Sequence, residues 1–238
     1  MQKKKGVGIW LTVSLLLFVG GCAVPVAWST APIFPLAHTQ EEGAVAYGGL
    51  RVGQPTQEDA TERLLLTAHA GFFSQWKLVR LDFTAWGGQA RYTFLKQVDS
   101  TTYEVGVRST VFHLQGNLAL APQVGEKVRI EMGLGAGVGY EHWNRTPSAY
   151  PYHLPEELTR ATIPTFSSFA GLSYSLQPDA TVGLRWHFLG AGTGLSLAYR
   201  LKLLQLTAAT QLYPLFRAGE NVGYGNWTFS VAGYLPLQ

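Results

Sequence analysis

Residues 128–140 read VRIEMGLGAGVGY, and they alternate strictly between two kinds of side chain. The apolar set is Val128, Ile130, Met132, Leu134, Ala136, Val138 and Tyr140, and the other face consists of Arg129, Glu131, Gly133, Gly135, Gly137 and Gly139, followed by Glu141. Successive side chains of a β-strand point to opposite faces, so the pattern predicts a strand with one apolar face and one charged or bare face. At about thirteen residues it is longer than the usual strand and long enough to cross a bilayer with a tilt.

The same alternation recurs along the chain and predicts an antiparallel sheet. Examples are residues 64–72, 166–176, 182–188, 195–203 and 227–237. Ten strands are predicted near 43–52, 62–73, 77–95, 102–115, 127–143, 162–176, 179–190, 194–202, 204–214 and 226–237. Gly87-Gly88 could divide the third strand, and long loops are expected at 144–161 and 214–225 on one end and at 116–126 on the other.

Two features favour a membrane barrel over a soluble sandwich. The polar faces are rich in Gly, Ser and Thr, with scattered Arg and Glu, whereas a water-facing sheet usually carries dense charge. Aromatic residues occur near the strand ends, as in the girdles of membrane barrels: Trp76, Tyr92, Tyr103, Tyr140, Trp143, Tyr174, Trp227 and Tyr234. We therefore expect an all-β, closed, antiparallel up-and-down barrel of about ten strands (range about 8–12) with its apolar rows facing lipid.

The N-terminus has the features of an export signal. Three lysines precede an apolar run from Val7 to Val19, which is too short for a transmembrane helix. Val19-Gly20-Gly21-Cys22 resembles the lipobox of bacterial lipoproteins, which implies cleavage before Cys22 and acylation of that residue. The predicted organisation is a signal peptide at 1–21, a lipidated, proline-containing tether at 22–42 and a barrel domain at 43–238.

Charge and cysteine content narrow the functional classes. Without Lys3, Lys4 and Lys5 of the signal peptide, 15 of the 18 basic residues remain, which equals the 15 acidic ones. This neutral balance gives no electrostatic basis for nucleic-acid binding. Cys22 is the single cysteine, so a disulfide framework or a thiolate metal site is not expected.

Taken with these patterns, the chain resembles small outer-membrane β-barrel proteins, in particular lipoproteins in which a barrel follows a proline-containing tether. The resemblance implies a location in the outer membrane, anchored through Cys22. It also implies as partners the outer-membrane lipid, a covalent lipid (palmitate) on Cys22 and the barrel-assembly and lipoprotein-sorting machineries. No cofactor is expected.

The candidate functional residues are polar side chains predicted to point into the barrel. They are Arg63, His69, Arg80, Asp82, Arg91, Glu104, Arg108, Arg129, Glu131, Glu141, Arg185, His187, Arg200 and Lys202. A barrel of about ten strands is narrow, so we expect opposite charges to pair across it and fill it. Basic residues outnumber acidic ones in this set, so a pore, if open, would favour anions.

Catalytic and metal sites are not predicted. In the familiar outer-membrane deacylases and phospholipases, the catalytic histidine and serine resemble a His-x-Ser motif on one face of a strand. None of the six histidines in this chain has a serine two residues after it. None of the four aspartates is adjacent to a histidine, unlike the arrangement in ten-stranded outer-membrane proteases. Histidines and glutamates around residues 141–157 lack the tight spacing of a metal site.

The sequence is compatible with three functions. The first is an outer-membrane barrel lipoprotein with a structural, adhesive or minor-channel role. The second is a lipid-anchored soluble barrel that binds an apolar ligand as bacterial lipocalins do, which would require the apolar faces to point inward. The third is a barrel hydrolase whose catalytic residues come from distant strands, with His69 and His187 as the residues to test.

Overall fold

A computed structural model describes residues 30–38, 41–54, 60–98, 100–145, 160–189, 192–217 and 220–237. These residues contain eleven strands: β1 Gly43–Gln54, β2 Ala60–Gln75, β3 Val79–Val98, β4 Thr101–Leu120, β5 Gln123–Val124, β6 Val128–Arg145, β7 Arg160–Gln177, β8 Ala180–Leu189, β9 Gly192–Leu201, β10 Leu204–Arg217 and β11 Glu220–Leu237. Among them, no helix is long and apolar enough to cross a membrane.

The strands close into a barrel. Each long strand pairs antiparallel with its neighbour in sequence, β1 pairs with β11, and β4 pairs with β6 past the two-residue β5. Ten long strands thus form the wall, and the predicted closed up-and-down barrel is confirmed. All ten long strands hydrogen-bond on both sides, so the sheet has no free edge.

The two ends of the barrel differ. One end, here called the turn end, holds the start of β1, the end of β11 and the connections 76–78, 121–127, 178–179 and 202–203. The opposite end, the loop end, holds the connections 55–59, 99–100, 146–159, 190–191 and 218–219. The longest connection, between β6 and β7, is at the loop end, as the sequence predicted, although residues 146–159 lie outside the described part.

Several predicted boundaries were wrong. The third strand is not divided at Gly87-Gly88, because β3 pairs without interruption with β4 from Val79 to Val98 and with β2 across both glycines. The expected 214–225 loop is mostly strand, since β10 and β11 remain paired up to Arg217 and Glu220. The 116–126 connection is also shorter than expected, because β4 continues to Leu120. Glycines and a proline interrupt the hydrophobic alternation in these places, but the backbone ladder continues through them.

Exposure alternates along every long strand and fixes the direction of the two faces. In β7, Phe166 is 69% exposed between the buried Thr165 and Ser167, and in β6, Leu134 is 70% exposed whereas Arg129 and Glu131 on the other face are buried. The apolar rows therefore face outward, and the polar rows face the interior. A soluble ligand carrier needs the reverse arrangement.

The predicted aromatic girdle is partly wrong. Trp76, Tyr140, Tyr174 and Trp227 lie on the outer surface. Tyr92 and Tyr234 are buried in the interior, since each lies in register with inward-facing neighbours. Trp143 has the inward parity of β6, and the side chain of Tyr103 lies outside the described part of the chain.

Candidate functional site

The barrel interior gathers most of the predicted polar residues. Nine of them are buried there, namely His69, Arg80, Asp82, Arg129, Glu131, Glu141, Arg185, His187 and Arg200. Arg63 has the same parity as His69 in β2 and is half-buried. The strands bring these groups together from widely separated parts of the sequence, which makes the interior the candidate site.

Four predicted interior residues lie elsewhere. Arg91 is eleven residues from Arg80 on an uninterrupted strand, so it must point to the opposite, outer face. Glu104 and Arg108 likewise have the outward parity of β4 and are exposed. Lys202 lies in the β9–β10 turn, where its side chain is 74% exposed and its ammonium is 3.9 Å from Asp179.

An ion cluster occupies the middle of the interior. One carboxylate oxygen of Glu131 accepts a hydrogen bond from Arg80 at 2.9 Å, and the other accepts one from Arg185 at 2.6 Å. Asp82 accepts a hydrogen bond from the side-chain amide of Asn117 at 2.6 Å and interacts electrostatically with both arginines. Strands β3, β6 and β8 are thus tied together across the lumen by buried charges, as the pairing hypothesis predicted.

Residues 30–38, here called the luminal segment, lie inside the barrel rather than outside it. Ala31, Phe34, Leu36 and Ala37 are each at most 3% exposed. This segment belongs to the predicted tether (residues 22–42), and its position inside the barrel was not predicted. Two of its residues are prolines, which lack a backbone N–H, so fewer buried donors need a partner in this non-strand segment.

Wall side chains hold the backbone of the luminal segment. The side-chain amide of Gln205 donates to the carbonyl of Phe34 at 2.6 Å, and its oxygen accepts from the N–H of Leu36 at 2.8 Å. Arg80 donates to the carbonyl of Pro35. A single glutamine therefore replaces the two backbone partners that a neighbouring strand would supply.

Arg200 fixes the segment at the turn end. Its guanidinium donates to the carbonyl of Leu36 at 2.8 Å and to both carboxylate oxygens of Glu41 at 2.6 and 2.9 Å. It also lies 4.1 Å from the centre of the Tyr234 ring. Bidentate arginine–carboxylate pairs are among the strongest polar contacts in proteins, so this clamp fixes where the chain turns into β1.

His38 is the last residue of the luminal segment and lies outside the strands. One ring nitrogen is 2.9 Å from the hydroxyl of Thr181, and the other is 3.3 Å from the carbonyl of Lys202. Burial, with a smaller contribution from the positive charge of Arg200, lowers the pKa of His38 below its ordinary value of 6.5. The neutral ring therefore fits this position best.

Apolar wall residues are shaped to fit the segment. A Cβ on Gly183 would come within 2.5 Å of a methyl of Leu36 and 3.1 Å of the Phe34 ring, so only glycine leaves room here. The Arg185 guanidinium stacks on the Phe34 ring, 4.0 Å from the ring centre. Ile33 packs between two buried wall clusters, one around Trp86 and one around Phe73, Tyr47 and Tyr234.

Arg51 contacts the other end of the luminal segment, near Ala31. Arg51 is 2% exposed and donates to the carbonyl of Ala31 at 2.6 Å and to the hydroxyl of Thr67 at 3.2 Å. Its guanidinium lies 4.7 Å from the centre of the Trp86 ring, which in turn packs on His113. Arg51 was not among the predicted interior residues. Its place between the apolar residues Leu50 and Val52 in β1 indicates that it points to the face opposite theirs.

One interior pair has the composition of a hydrolase dyad. The hydroxyl of Ser196 is 3.5 Å from Nδ1 of His187, whose Nε2 is 2.9 Å from the amide oxygen of Gln211. The serine–histidine distance is at the limit of a hydrogen bond, and all three side chains are at most 1% exposed. Within the described residues, no group of three His, Cys, Asp or Glu side chains could hold a metal ion.

Comparison with known proteins gives likenesses of fold only. No protein-family model matches the chain, and no curated protein matches it. Among solved structures, the translocator domain of the autotransporter NalP from Neisseria meningitidis matches 95% of this chain and 94% of its own, at 11% identity and a TM-score of 0.45. The attachment invasion locus protein Ail of Yersinia pestis (12% identity, TM-score 0.37) covers 82% of this chain and 100% of its own. The outer membrane protein OprG of Pseudomonas aeruginosa (9% identity, TM-score 0.37) covers 84% and 100%.

Proposed function

We propose that this protein is an outer-membrane β-barrel lipoprotein with a structural role, whose lumen is closed by its own luminal segment. The observation that carries the proposal is the outer surface. Large apolar side chains are exposed on all ten long strands, as at Leu50, Phe83, Leu134 and Leu197. Soluble monomers rarely expose contiguous apolar patches above a few hundred Å², so a continuous apolar belt fits lipid.

Charges on the outer surface support the same placement. Arg91 and Arg108 are directly opposite each other on β3 and β4. Arg91 is twelve residues above the turn end of β3, which corresponds to about 40 Å along the strand, or about 30 Å along the axis at a tilt near 40°. This is about the thickness of the hydrocarbon core, so the two arginines lie where charges meet headgroups. Bacterial barrels have short periplasmic turns, which assigns the turn end to the periplasm.

A closed lumen favours a structural role over a channel. The ion cluster and the luminal segment occupy the same part of the interior, with Arg80 and Arg185 contacting both. We expect the reconstituted protein to show little ion conductance in planar bilayers. Gly183→Leu should displace Leu36 and Phe34 and open an anion-preferring path, because the basic wall residues would then line it. Frequent openings of the unaltered protein would favour the minor-channel role instead.

Lipid attachment at Cys22 is the second part of the proposal. Its support is the sequence Val19-Gly20-Gly21-Cys22 behind an apolar signal segment. Cells that express the protein should incorporate labelled palmitate into it, and Cys22→Ser should abolish the label.

Density separation of membranes and a heat-dependent shift in gel mobility test the barrel itself. Recovery of a soluble protein would refute the membrane assignment.

Catalysis is not part of the proposed function. Ser196 and His187 are each 1% exposed in the interior, so a substrate would have to displace neighbouring side chains to reach them. We expect lipid- and peptide-hydrolysis assays to give the same result for the unaltered protein, His69→Ala and His187→Ala. A loss of hydrolysis on either replacement would support the barrel-hydrolase hypothesis.

A further inference from the structure

The luminal segment has a direction as well as a position. His38 contacts the β9–β10 turn at the turn end, and Ala31 contacts Arg51 near the loop end of β1. Arg51 is eight residues beyond Gly43, which is about 26 Å along the strand and about 20 Å along the barrel axis. The chain therefore rises through the lumen from residue 38 to residue 30.

From this we propose that the chain preceding Thr30 leaves the barrel at the loop end, so that the N-terminal lipid anchor lies on the cell surface. The inference rests on the proposed function, which supplies the membrane and the lipid. Residues 22–30 span at most about 26–29 Å when fully extended. That length reaches the loop end from Thr30 with little chain to spare.

The alternative path runs back to the turn end, past residues that already pack closely on the luminal segment. Cys22 would have to return about 20 Å beside the luminal segment. Phe34 and Leu36 already fill that level, and Gly183 is needed to accommodate them. Arg80 and Arg185, which also contact the luminal segment, are joined through Glu131 beside it. A second strand of chain would have to break these buried contacts.

Wall side chains bond the backbone of the luminal segment at several levels of the barrel. Gln205 bonds two backbone groups of the segment, Arg200 and Arg80 each bond one carbonyl, and Arg51 bonds another near the exit. These contacts recur from the turn end to the level of Ala31. A passage that engages the backbone over this length fits a chain threaded through the barrel during assembly.

Labelling of single cysteines in intact cells tests the direction. Ala27→Cys reports the segment before Thr30, Ser100→Cys is the control at the loop end, and Lys127→Cys is the control at the turn end. Each variant retains Cys22, which is blocked by its lipid, and each is treated with a membrane-impermeant maleimide before and after permeabilisation. We expect Ala27→Cys and Ser100→Cys to react in intact cells and Lys127→Cys to react only after permeabilisation.

Two results would overturn the inference in different ways. If the protein is in the outer membrane and Ser100→Cys is labelled, but Ala27→Cys reacts only after permeabilisation or not at all, the threading is wrong and the proposed function stands. If the protein is absent from the outer-membrane fraction, the proposed function is wrong. If Lys127→Cys is labelled in intact cells and Ser100→Cys only after permeabilisation, the assigned orientation of the barrel is wrong. A surface-specific protease site inserted after Ala27 provides a second readout with the same two outcomes.

Discussion

Replacing Glu131 by glutamine tests the central ion cluster. Its carboxylate neutralises two arginines at 2.9 and 2.6 Å, and the side chains involved are 1–3% exposed. Glu131→Gln preserves the shape but leaves Arg80 and Arg185 facing a neutral amide in a water-poor interior. Removing one partner of a buried ion pair typically costs about 3–5 kcal/mol, and we expect a loss of free energy of unfolding in that range.

Urea titration of the protein refolded into lipid vesicles, followed by tryptophan fluorescence and gel mobility, measures this loss. The matched comparison replaces the whole cluster with apolar or neutral groups through Arg80→Met, Asp82→Asn, Glu131→Leu and Arg185→Met. Because no charge is then left unpaired, this combination should cost less than Glu131→Gln alone. A Glu131→Gln protein within about 0.5 kcal/mol of the unaltered one would refute the argument that the cluster is sealed from water.

Three other changes test the outer face, the inner face and the turn end. Leu134→Arg puts a charge on the lipid face of β6 and should reduce the free energy of unfolding in vesicles by about 2–4 kcal/mol; an unchanged value would mean that the residue faces water. Gly135→Ala places a methyl within 1.9 Å of the side-chain oxygen of Asn117 and should cost about 1–3 kcal/mol, whereas Gly233→Ala, which meets open space, should be nearly neutral in the same titration. For His38, the lowered pKa means that its contribution to stability is complete above pH about 6.5 and declines as the pH falls, because the unfolded chain then binds the proton more readily. The amide protection factors in residues 31–38, which are corrected for the intrinsic pH dependence of exchange, should therefore fall between pH 7.5 and pH 5, and His38→Gln should remove that fall.

The barrel could be predicted because its wall follows one simple rule. Alternation with period two, repeated in segments such as 128–140 and 195–203, fixes which side chains share a face. The outward rows around Leu134 and Leu197 are where the sequence placed them. The strand ends were less predictable, since the ladder between β10 and β11 is held by backbone bonds that glycine-rich sequence does not disrupt.

The errors within the site have one physical cause. Arg91, Glu104 and Arg108 were assigned to the interior because they are charged, but their parity relative to Arg80 and His113 places them outside. Charges on the outer face are tolerated near the headgroups, so residue type alone does not decide direction there. Counting from a buried neighbour would have corrected all three.

The luminal segment could not be read from periodicity, because an extended peptide held by side chains has none. Two signals were nonetheless available. Ile33-Phe34-Pro35-Leu36 is an apolar run within a stretch interpreted as a tether, and the large rings of Phe73 and Tyr234 lie on faces that carry mainly polar or small residues. An apolar residue on the inner face of a narrow barrel requires an apolar partner, and here the N-terminal segment supplies it.

Quenching of single tryptophans by brominated acyl chains tests the outward orientation most directly. In variants where all other tryptophans are phenylalanine, Trp186 (54% exposed on the outer face) can be compared with Trp86 (3% exposed inside). We expect bromine in the bilayer to quench the fluorescence of Trp186 strongly and to leave that of Trp86 nearly unchanged. Equal quenching of both, or quenching of Trp86 alone, would contradict a barrel with lipid outside and a filled polar lumen within.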